Sequence, residues 1–204
     1  MPVDIFFSGD DGLGEARHVF LEGNALPGAW NRRSEFTVSE LGFGTGLNLL
    51  ALAVLGPPRL LYQSVEWKPL PVTVFSDLVS RWPELAEPAR ALAEVYHPQP
   101  GWNRWVWPWG EVVLYVGDAR LLPGLEPTFQ PSDAWFLDGF APDRNPELWD
   151  GALLNWVGSA TKPGGTAATY SAAGVVKRGL RSAGFTVTRT AGWGNKRHMV
   201  RARR

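Results

Sequence analysis

Four acidic residues stand at the ends of four apolar segments in the first two thirds of the chain. Glu40 lies near the end of FTVSEL, Glu66 closes LLYQSVE, Asp118 follows EVVLYVG, and Asp138 closes DAWFLD. Each segment has the alternating or continuous apolar pattern of a buried β-strand. In an open parallel sheet, ligands bind outside the carboxyl ends of the strands. The pattern therefore predicts several carboxylates around one ligand site.

A glycine-rich turn, ELGFGTGLN, follows the first of these strands. Gly42, Gly44 and Gly46 allow a ligand to approach the backbone closely, and the next helix offers unpaired N–H groups at its start. A dinucleotide places its pyrophosphate on such a turn, normally with G-x-G-x-x-G spacing. Here the third glycine comes one residue early, and Glu40 would repel pyrophosphate. A cationic ligand such as S-adenosylmethionine suits this carboxylate better, but the residues alone leave NAD and adenosylmethionine both open.

Two further acids have the spacing of cofactor contacts. Glu66 comes 20 residues after Gly46 at the end of the second strand, which suits a carboxylate that binds both hydroxyls of a ribose. Asp118, in VGDA, could accept a hydrogen bond from an adenine amine. The alternative for both is an acid that only faces solvent at a strand end.

The segment DGFAPDRNPELW, which begins at Asp138, suggests chemistry on an amine. A carboxylate can accept N–H hydrogen bonds from an amine, fix its direction and stabilise the positive charge that develops during methyl transfer. Phe140 could face that cation or pack on a flat base, while Pro142 would stiffen the loop. Asn145 and Trp149 could shape the pocket, although Trp149 could equally belong to the core.

The charges of the chain are segregated. All 20 acidic residues lie in 1–150, while ten of the 20 basic residues lie in 151–204. This separation suggests that the C-terminal part meets a polyanion, unless its basic residues pair with acids of the first part. Lys196 and Arg197, in the glycine-flanked stretch GWGNKRHM, are candidate phosphate contacts. Asn24, in HVFLEGNAL, could reach the site from the N-terminal segment.

Alternating strand and helix patterns predict one α/β domain. The first 35 residues are expected to form an irregular or β-rich extension, packed on a domain that spans 36–204. Predicted strands lie at 36–41, 60–66, 133–138, 164–170, 185–190 and 198–203, with a hairpin around Pro108. Helices are predicted at 47–55, over 71–96 with breaks at two prolines, at 146–160 and at 173–183.

Composition excludes several classes of function. The chain has no cysteine and three scattered histidines, so no disulfide, thiolate chemistry or metal site is expected. No apolar run is long enough to span a membrane, and the acidic N-terminus is unlike a signal peptide. We therefore expect a cytoplasmic protein with no membrane partner.

Several blocks together resemble a known family, the methyltransferase domain of the bacterial tRNA 5-methylaminomethyl-2-thiouridine biosynthesis protein. They are GEARHVFLEGNAL, ELGFGTGLN, SVEWKPL, DAWFLDGFAP, ATYSAAGVVKRGL and GWGNKR, and they cover about residues 15–200. The resemblance implies a class I S-adenosylmethionine-dependent methyltransferase fold, Rossmann-like, with a mostly parallel seven-stranded sheet and helices on both faces. It also implies N-methylation of 5-aminomethyluridine, often 2-thiolated, at the tRNA wobble position.

The resemblance assigns roles residue by residue. Glu40 and the glycine turn would bind the methionine part of adenosylmethionine, Glu66 its ribose and Asp118 its adenine, while Asp138 receives the amine. The full set of predicted cofactor contacts is Glu40, Gly42, Phe43, Gly44, Thr45, Gly46, Asn48, Glu66, Asp118, Ala119 and Asp138. The predicted catalytic residues are Asp138 and Phe140, and the predicted substrate contacts are Asn24, Gly139, Pro142, Asn145, Trp149, Lys196 and Arg197.

The chain also departs from the family pattern. His18 stands where a tyrosine is expected, and Trp67 where a lysine is common. Because the chain ends at Arg204, it is expected to act without the flavin-dependent oxidoreductase domain of the large relatives, with a separate enzyme supplying the aminomethyl form. The alternative hypotheses are an NAD-dependent oxidoreductase on the same glycine turn and a non-catalytic RNA-binding module.

Overall fold

The computed structural model describes residues 11–126, 128–139 and 146–204. Within these residues, eight strands form one sheet in the order β3-β4-β2-β1-β5-β6-β8-β7. They are β1 Glu35–Leu41, β2 Arg59–Glu66, β3 Gly101–Trp107, β4 Gly110–Val116, β5 Ser132–Leu137, β6 Thr161–Thr169, β7 Thr186–Ala191 and β8 His198–Arg203. The five central strands run parallel, and the flanking pairs are antiparallel.

The α/β fold with a mostly parallel sheet is confirmed, but the predicted number of seven strands is wrong. The hairpin around Pro108 adds β3 to the outer edge of β4, where the two strands pair antiparallel from Gly101 opposite Val116 to Trp107 opposite Gly110. The hairpin itself is as predicted from the turn residues between two apolar runs.

The described residues contain six α-helices. They are α1 Gly12–Ala16, α2 Leu47–Val54, α3 Val74–Arg81, α4 Ala86–Ala93, α5 Gly151–Ser159 and α6 Gly174–Ser182. Leu49, Leu50 and Leu52 of α2 are fully buried in one core cluster, and Leu154 of α5 and Leu180 of α6 lie in a second one. Helices thus cover both faces, which explains why the central strand β5 is buried at every residue.

Two predicted helices have different bounds. Pro83 ends the first part of the 71–96 run and opens the 3₁₀ turn Pro83–Leu85, whereas Pro88 lies in the first turn of α4 and does not break it. Pro146 opens the 3₁₀ turn Pro146–Trp149, and α5 begins only at Gly151, after Asp150 has capped it by accepting a hydrogen bond from Ala152 N.

The described part of the N-terminal extension is helical, so the prediction of an irregular or β-rich segment is wrong there. After α1 come the π-helical turn Arg17–Leu21 and the 3₁₀ turns Glu22–Asn24 and Gly28–Trp30. Leu13, Val19 and Phe20 are buried in the same core cluster as α2. This burial stabilises helical turns that are each too short to form alone.

The order of the strands positions the candidate site. β1 pairs with β2 on one side and with β5 on the other, so the direction in which the chain crosses the sheet changes at β1. Ligands bind at the carboxyl ends of strands at such a switch point. No helix in the described part of the chain is long and apolar enough to cross a membrane, and these residues contain no cluster of three or more side chains that could hold a metal ion.

Candidate active site at the switch point

Glu40 and Asp138 meet at the carboxyl ends of β1 and β5. Glu40 pairs in register with Phe136, so the chain leaves β1 beside the residue that follows β5. The Asn48 amide, at the start of α2, donates to Glu40 Oε1 at 2.7 Å and to Asp138 Oδ2 at 2.7 Å. Three of the predicted site residues are therefore brought together in one hydrogen-bonded array.

Glu40 is almost completely buried, with 1% of its surface exposed. Its Oε2 accepts a hydrogen bond from the Ser64 hydroxyl at 3.1 Å. Burial first, and then the nearby Asp138, raise the pKa of Glu40 well above its usual value. Tyr62 lies next to it, and its buried hydroxyl lacks a well-formed hydrogen bond among the described residues.

Asp138 is partly buried, and burial raises the pKa of its carboxyl group to about 7, against the lowering effect of Asn48. In the described part of the chain, no lysine or arginine forms an ion pair with Asp138 or Glu40. Two buried acids without a cation in contact are costly, and the arrangement fits a ligand that carries positive charge.

The glycine turn brings the backbone against this array. Gly42, Gly44 and Gly46 have φ values of 90°, 52° and 75°, which side chains rarely tolerate. A Cβ at Gly42 would lie 2.9 Å from the Asp138 carbonyl oxygen. Only glycine fits there, so the turn and the end of β5 are in direct contact. Phe43 and Thr45, the two residues between the glycines, are buried.

Glu66 lies on the other side of the turn. Its Oε2 accepts a hydrogen bond from Gly44 N at 2.9 Å and its Oε1 one from Lys68 N at 2.9 Å. The carboxylate is thus fixed by backbone groups at the carboxyl end of β2, where the ribose contact is predicted. Trp67, next to it, is 70% exposed.

Asp118 follows β4 on the same edge of the sheet, beside the end of β2, because Gly117 N donates to Glu66 O at 3.0 Å. Arg120 binds the Asp118 carboxylate with its Nε at 2.9 Å, and this hydrogen bond lowers the pKa of Asp118. Asp118 also accepts a hydrogen bond from Arg120 N. Ala119 is buried. The edge thus carries all four predicted acids.

Two further predicted contacts, Asn24 and Trp149, are buried. Asn24 is buried, with its amide donating to the Phe20 and Trp135 carbonyls and accepting from the Thr166 hydroxyl, so it links the extension to the sheet. Trp149 lies in the core cluster of α5 and α6. Phe140, Pro142 and Asn145 are outside the described residues.

The loop between β7 and β8 contacts α1 and Tyr170, which in turn contacts the residue after Asp138. Lys196 Nζ lies 2.6 Å from Glu15 Oε1 and 3.8 Å from the centre of the Tyr170 ring, while Arg197 is exposed. The Tyr170 hydroxyl donates to the Gly139 carbonyl, next to Asp138. Sequence reasoning did not single out Glu15 or Tyr170. Their only signal was their place inside the quoted blocks.

The histidines contribute no acid or base to this array within the described residues. His18 Nδ1 lies 3.1 Å from Glu22 Oε2, and its Nε2 lies 3.2 Å from the Ala191 carbonyl. It also packs against Trp193 with ring centres 5.6 Å apart. The residue that replaces the expected tyrosine therefore attaches the extension to the end of β7.

Comparison with solved structures supports the fold. The crystal structure of MNMC2 from Aquifex aeolicus superposes with a TM-score of 0.73 over 97% of this chain and 62% of that one, at 21% identity. CalS10, an amino pentose methyltransferase from Micromonospora echinaspora, superposes with a TM-score of 0.53 over 94% of this chain and 90% of that one, at 14% identity. At these identities the likeness concerns the fold alone.

Curated relatives are more similar in sequence. The tRNA 5-methylaminomethyl-2-thiouridine biosynthesis bifunctional protein MnmC of Methylobacillus flagellatus is 44% identical over 97% of this chain and 32% of its own length. The protein of the same name from Nitrosospira multiformis is 41% identical over 97% of this chain and 33% of its own length. The chain spans about a third of the length of these relatives.

Residues 84–204 match the family described as S-adenosyl-L-methionine-dependent methyltransferases, which is more than half of the chain. This match confirms the predicted cofactor class and enzyme class, and it does not favour the alternatives of an NAD-dependent oxidoreductase or a non-catalytic RNA-binding module. The chain belongs to the S-adenosyl-L-methionine-dependent methyltransferase family.

Proposed function

We propose that this methyltransferase N-methylates 5-aminomethyluridine, with or without 2-thiolation, at the wobble position of tRNA. The names of the relatives at 41–44% identity support the substrate class. The array of Glu40, Asn48 and Asp138 supports a reaction at an amine, because it presents carboxylate oxygens to a nitrogen that becomes positive. This array is the observation that carries the proposal.

The cofactor would lie along the edge formed by β1, β2, β4 and β5. Its cationic methionine end would meet Glu40 beside the glycine turn, its ribose Glu66 and its adenine the segment of Asp118 and Ala119. When bound, adenosylmethionine supplies an electrophilic methyl group. The buried Glu40, which has no cation in contact among the described residues, fits a ligand that carries positive charge.

Asp138 would act on the substrate amine. Its carboxylate would accept an N–H hydrogen bond, orient the nitrogen lone pair and stabilise the positive charge that develops. Asn48 holds Oδ2 of this carboxylate at 2.7 Å, which fixes its direction. With a pKa of about 7, the Asp138 carboxylate can also take up a proton that the amine brings or releases near neutral pH.

Some of the other predicted contacts belong to the proposal as well. Gly139, Phe140, Pro142 and Asn145 are the proposed contacts to the nucleobase, and Arg197, exposed on the turn before β8, would contact a tRNA phosphate. The proposed organisation keeps residues 1–35 as an extension packed on a methyltransferase domain of 36–204.

The direct test is methylation by the purified chain. We expect tRNA that carries 5-aminomethyluridine to gain one methyl group at that nucleoside, measured by mass spectrometry of the digested tRNA with isotope-labelled adenosylmethionine. The same tRNA with an unmodified wobble uridine is the matched control and should gain no label. Label in the control at the same rate, or none in either tRNA while the chain binds adenosylmethionine, would contradict the proposed substrate.

A further inference from the structure

Lys196 is held by two groups from distant parts of the chain. It lies on the turn between β7 and β8, where its Nζ is 2.6 Å from Glu15 Oε1 of α1. The side chain of Lys196 is 31% exposed and that of Glu15 is 12% exposed. The same ammonium lies 3.8 Å from the centre of the Tyr170 ring, a favourable place for a cation. A lysine whose only role is to bind a tRNA phosphate would need neither contact.

Tyr170 transmits this position to the site. The tyrosine follows β6, and its hydroxyl donates to the carbonyl of Gly139, the residue after Asp138. Leu148 also lies against this residue, since a Cβ at Gly139 would be 2.7 Å from Leu148 Cδ1. The ring under Lys196 is therefore attached to the backbone that carries Asp138.

Lys196 and Glu15 also act on the Asp138 carboxyl group with opposite charges. Lys196 lowers the pKa of Asp138 and Glu15 raises it, both less strongly than burial. The other groups that face Asp138 are Asn48 from α2, Glu40 from β1 and Tyr62 from β2. Lys196 is the positive group in this set, so it favours the ionised form of the carboxylate that would bind an amine.

We propose that Lys196 is a positioning residue of the methyltransferase site, which fixes the Asp138–Gly139 segment through Tyr170 and supplies positive charge beside the Asp138 carboxylate. It does so as part of the protein and not as a contact to a tRNA phosphate. The inference rests on the proposed function where it concerns the amine, but the link between Lys196 and Asp138 is a property of the chain alone.

The link can be measured without cofactor or tRNA. We expect Lys196→Met to raise the pKa of Asp138 and Glu15→Gln, which keeps an oxygen for Lys196, to lower it. Both pKa changes can be measured by ¹³C NMR titration of the carboxyl carbons of the apoprotein. The Asp138 signal is assigned by its loss in Asp138→Asn. Arg197→Met, on the exposed neighbour, is the matched control and should leave the titration unchanged. Shifts in the same direction, or none, would overturn the inference.

Kinetics with tRNA distinguish positioning from phosphate binding. We expect Lys196→Met to lower kcat about tenfold at neutral pH, with partial recovery at higher pH, because the Asp138 carboxyl ionises later. The dependence of KM on salt should stay that of the wild type. Arg197→Met should instead raise KM and reduce the slope of its logarithm against log salt by about one.

Lys196→Arg is the conservative variant, which keeps the positive charge and should recover most of the lost kcat. An unchanged kcat in Lys196→Met together with a reduced salt slope would overturn the inference and make Lys196 a phosphate contact. If the wild type fails to methylate the tRNA while the NMR shifts occur as expected, the proposed substrate fails and the positioning role of Lys196 stands.

Discussion

The two ends of β5 carry two aspartates in opposite surroundings. Asp133, at the start of the strand, accepts hydrogen bonds from Arg33 Nη1 at 2.6 Å, Lys162 Nζ at 2.7 Å and Thr37 N at 2.9 Å. Asp138, directly after the strand, contacts Asn48 and no cation in the described part of the chain. The same residue type thus has its charge compensated by two cations at one end of β5, and lies close to a second acid, Glu40, without a cation in contact at the other.

The difference shows how the fold separates stability from function. At Asp133 two cations from the extension and from β6 compensate the buried charge, so the site needs nothing from outside. At Asp138 no cation is in contact within the described residues and Lys196 acts only from a distance, so most of the compensation is left to a ligand. The apoprotein bears the cost of holding one buried and one partly buried acid side by side. Sites that bind charged ligands are commonly destabilising in this way.

The largest expected effect comes from Asp138→Asn. We expect kcat to fall about a thousandfold, because the neutral amide cannot stabilise a developing cation, while adenosylmethionine binding, measured by isothermal titration calorimetry, largely survives. Near-normal turnover would remove Asp138 from the mechanism.

The same variant should change the pH dependence of stability. Since the pKa of Asp138 is raised to about 7 in the folded chain, its contribution to stability is present below about pH 4 and is lost as pH rises through 7. The free energy of unfolding of Asp138→Asn should therefore exceed that of the wild type by about 2 kcal/mol at pH 8. The difference should vanish near pH 4. Denaturant unfolding at both pH values tests this.

Asp133→Asn should do the reverse. We expect a loss of about 2 kcal/mol in the free energy of unfolding, less than is usual for a buried ion pair, because both cations reach solvent. The kcat of the folded fraction should stay within about twofold of the wild type. A stable Asp133→Asn protein with lost activity would remove the contrast between the two ends of β5.

Glu40→Gln tests the second buried acid. We expect adenosylmethionine affinity to fall about tenfold, because a charge-assisted contact becomes neutral, while the apoprotein melts at a higher temperature at pH 8. The control is Glu111→Gln on β4, an acid that pairs with Arg104 far from the array. Equal effects of the two changes on affinity would contradict a role for Glu40 in cofactor binding.

Asp118→Asn should have the smallest effect. The carboxylate is already bound by Arg120, and an amide oxygen can still accept a hydrogen bond from adenine. We expect the affinity for adenosylmethionine to change by less than about threefold, measured by the same calorimetric titration. A loss beyond about tenfold would place Asp118 among the principal cofactor contacts.

The elements that could be predicted are those that depend on local patterns. Apolar alternation in FTVSEL and LLYQSVE matches β1 and β2 to within one residue, and the glycine spacing matches a turn with three left-handed glycines. The N-terminal extension was predicted wrongly because its short turns are stabilised by packing against α2 and the sheet. Packing of that kind leaves no clear periodicity in the sequence.

The site was predictable as a list and not as an arrangement. Acids at strand ends predict one edge of a parallel sheet, but the sequence does not say that Asn48 bridges two of them or that Asp118 is already paired. Lys196 was predicted as a phosphate contact because a glycine-flanked basic stretch such as GWGNKRHM usually forms an exposed turn. Its contact with Glu15 depends on where the extension folds, and its contact with Tyr170 on the pairing of β6 with β8.

By itself the sequence determined the alternation of strands and helices, the glycine turn after β1 and the carboxylates at one edge of the sheet, because these depend on residues close together in the chain. Only the tertiary structure decided which acids are compensated, since Asn48 and Asp138 are 90 positions apart and Glu15 and Lys196 are 181 apart. Such pairs are set by the order of the strands and the packing of the extension. In the described part of the chain, they place the Asp133 carboxylate in contact with two cations, and the Asp138 carboxyl group close to Glu40 with no cation in contact.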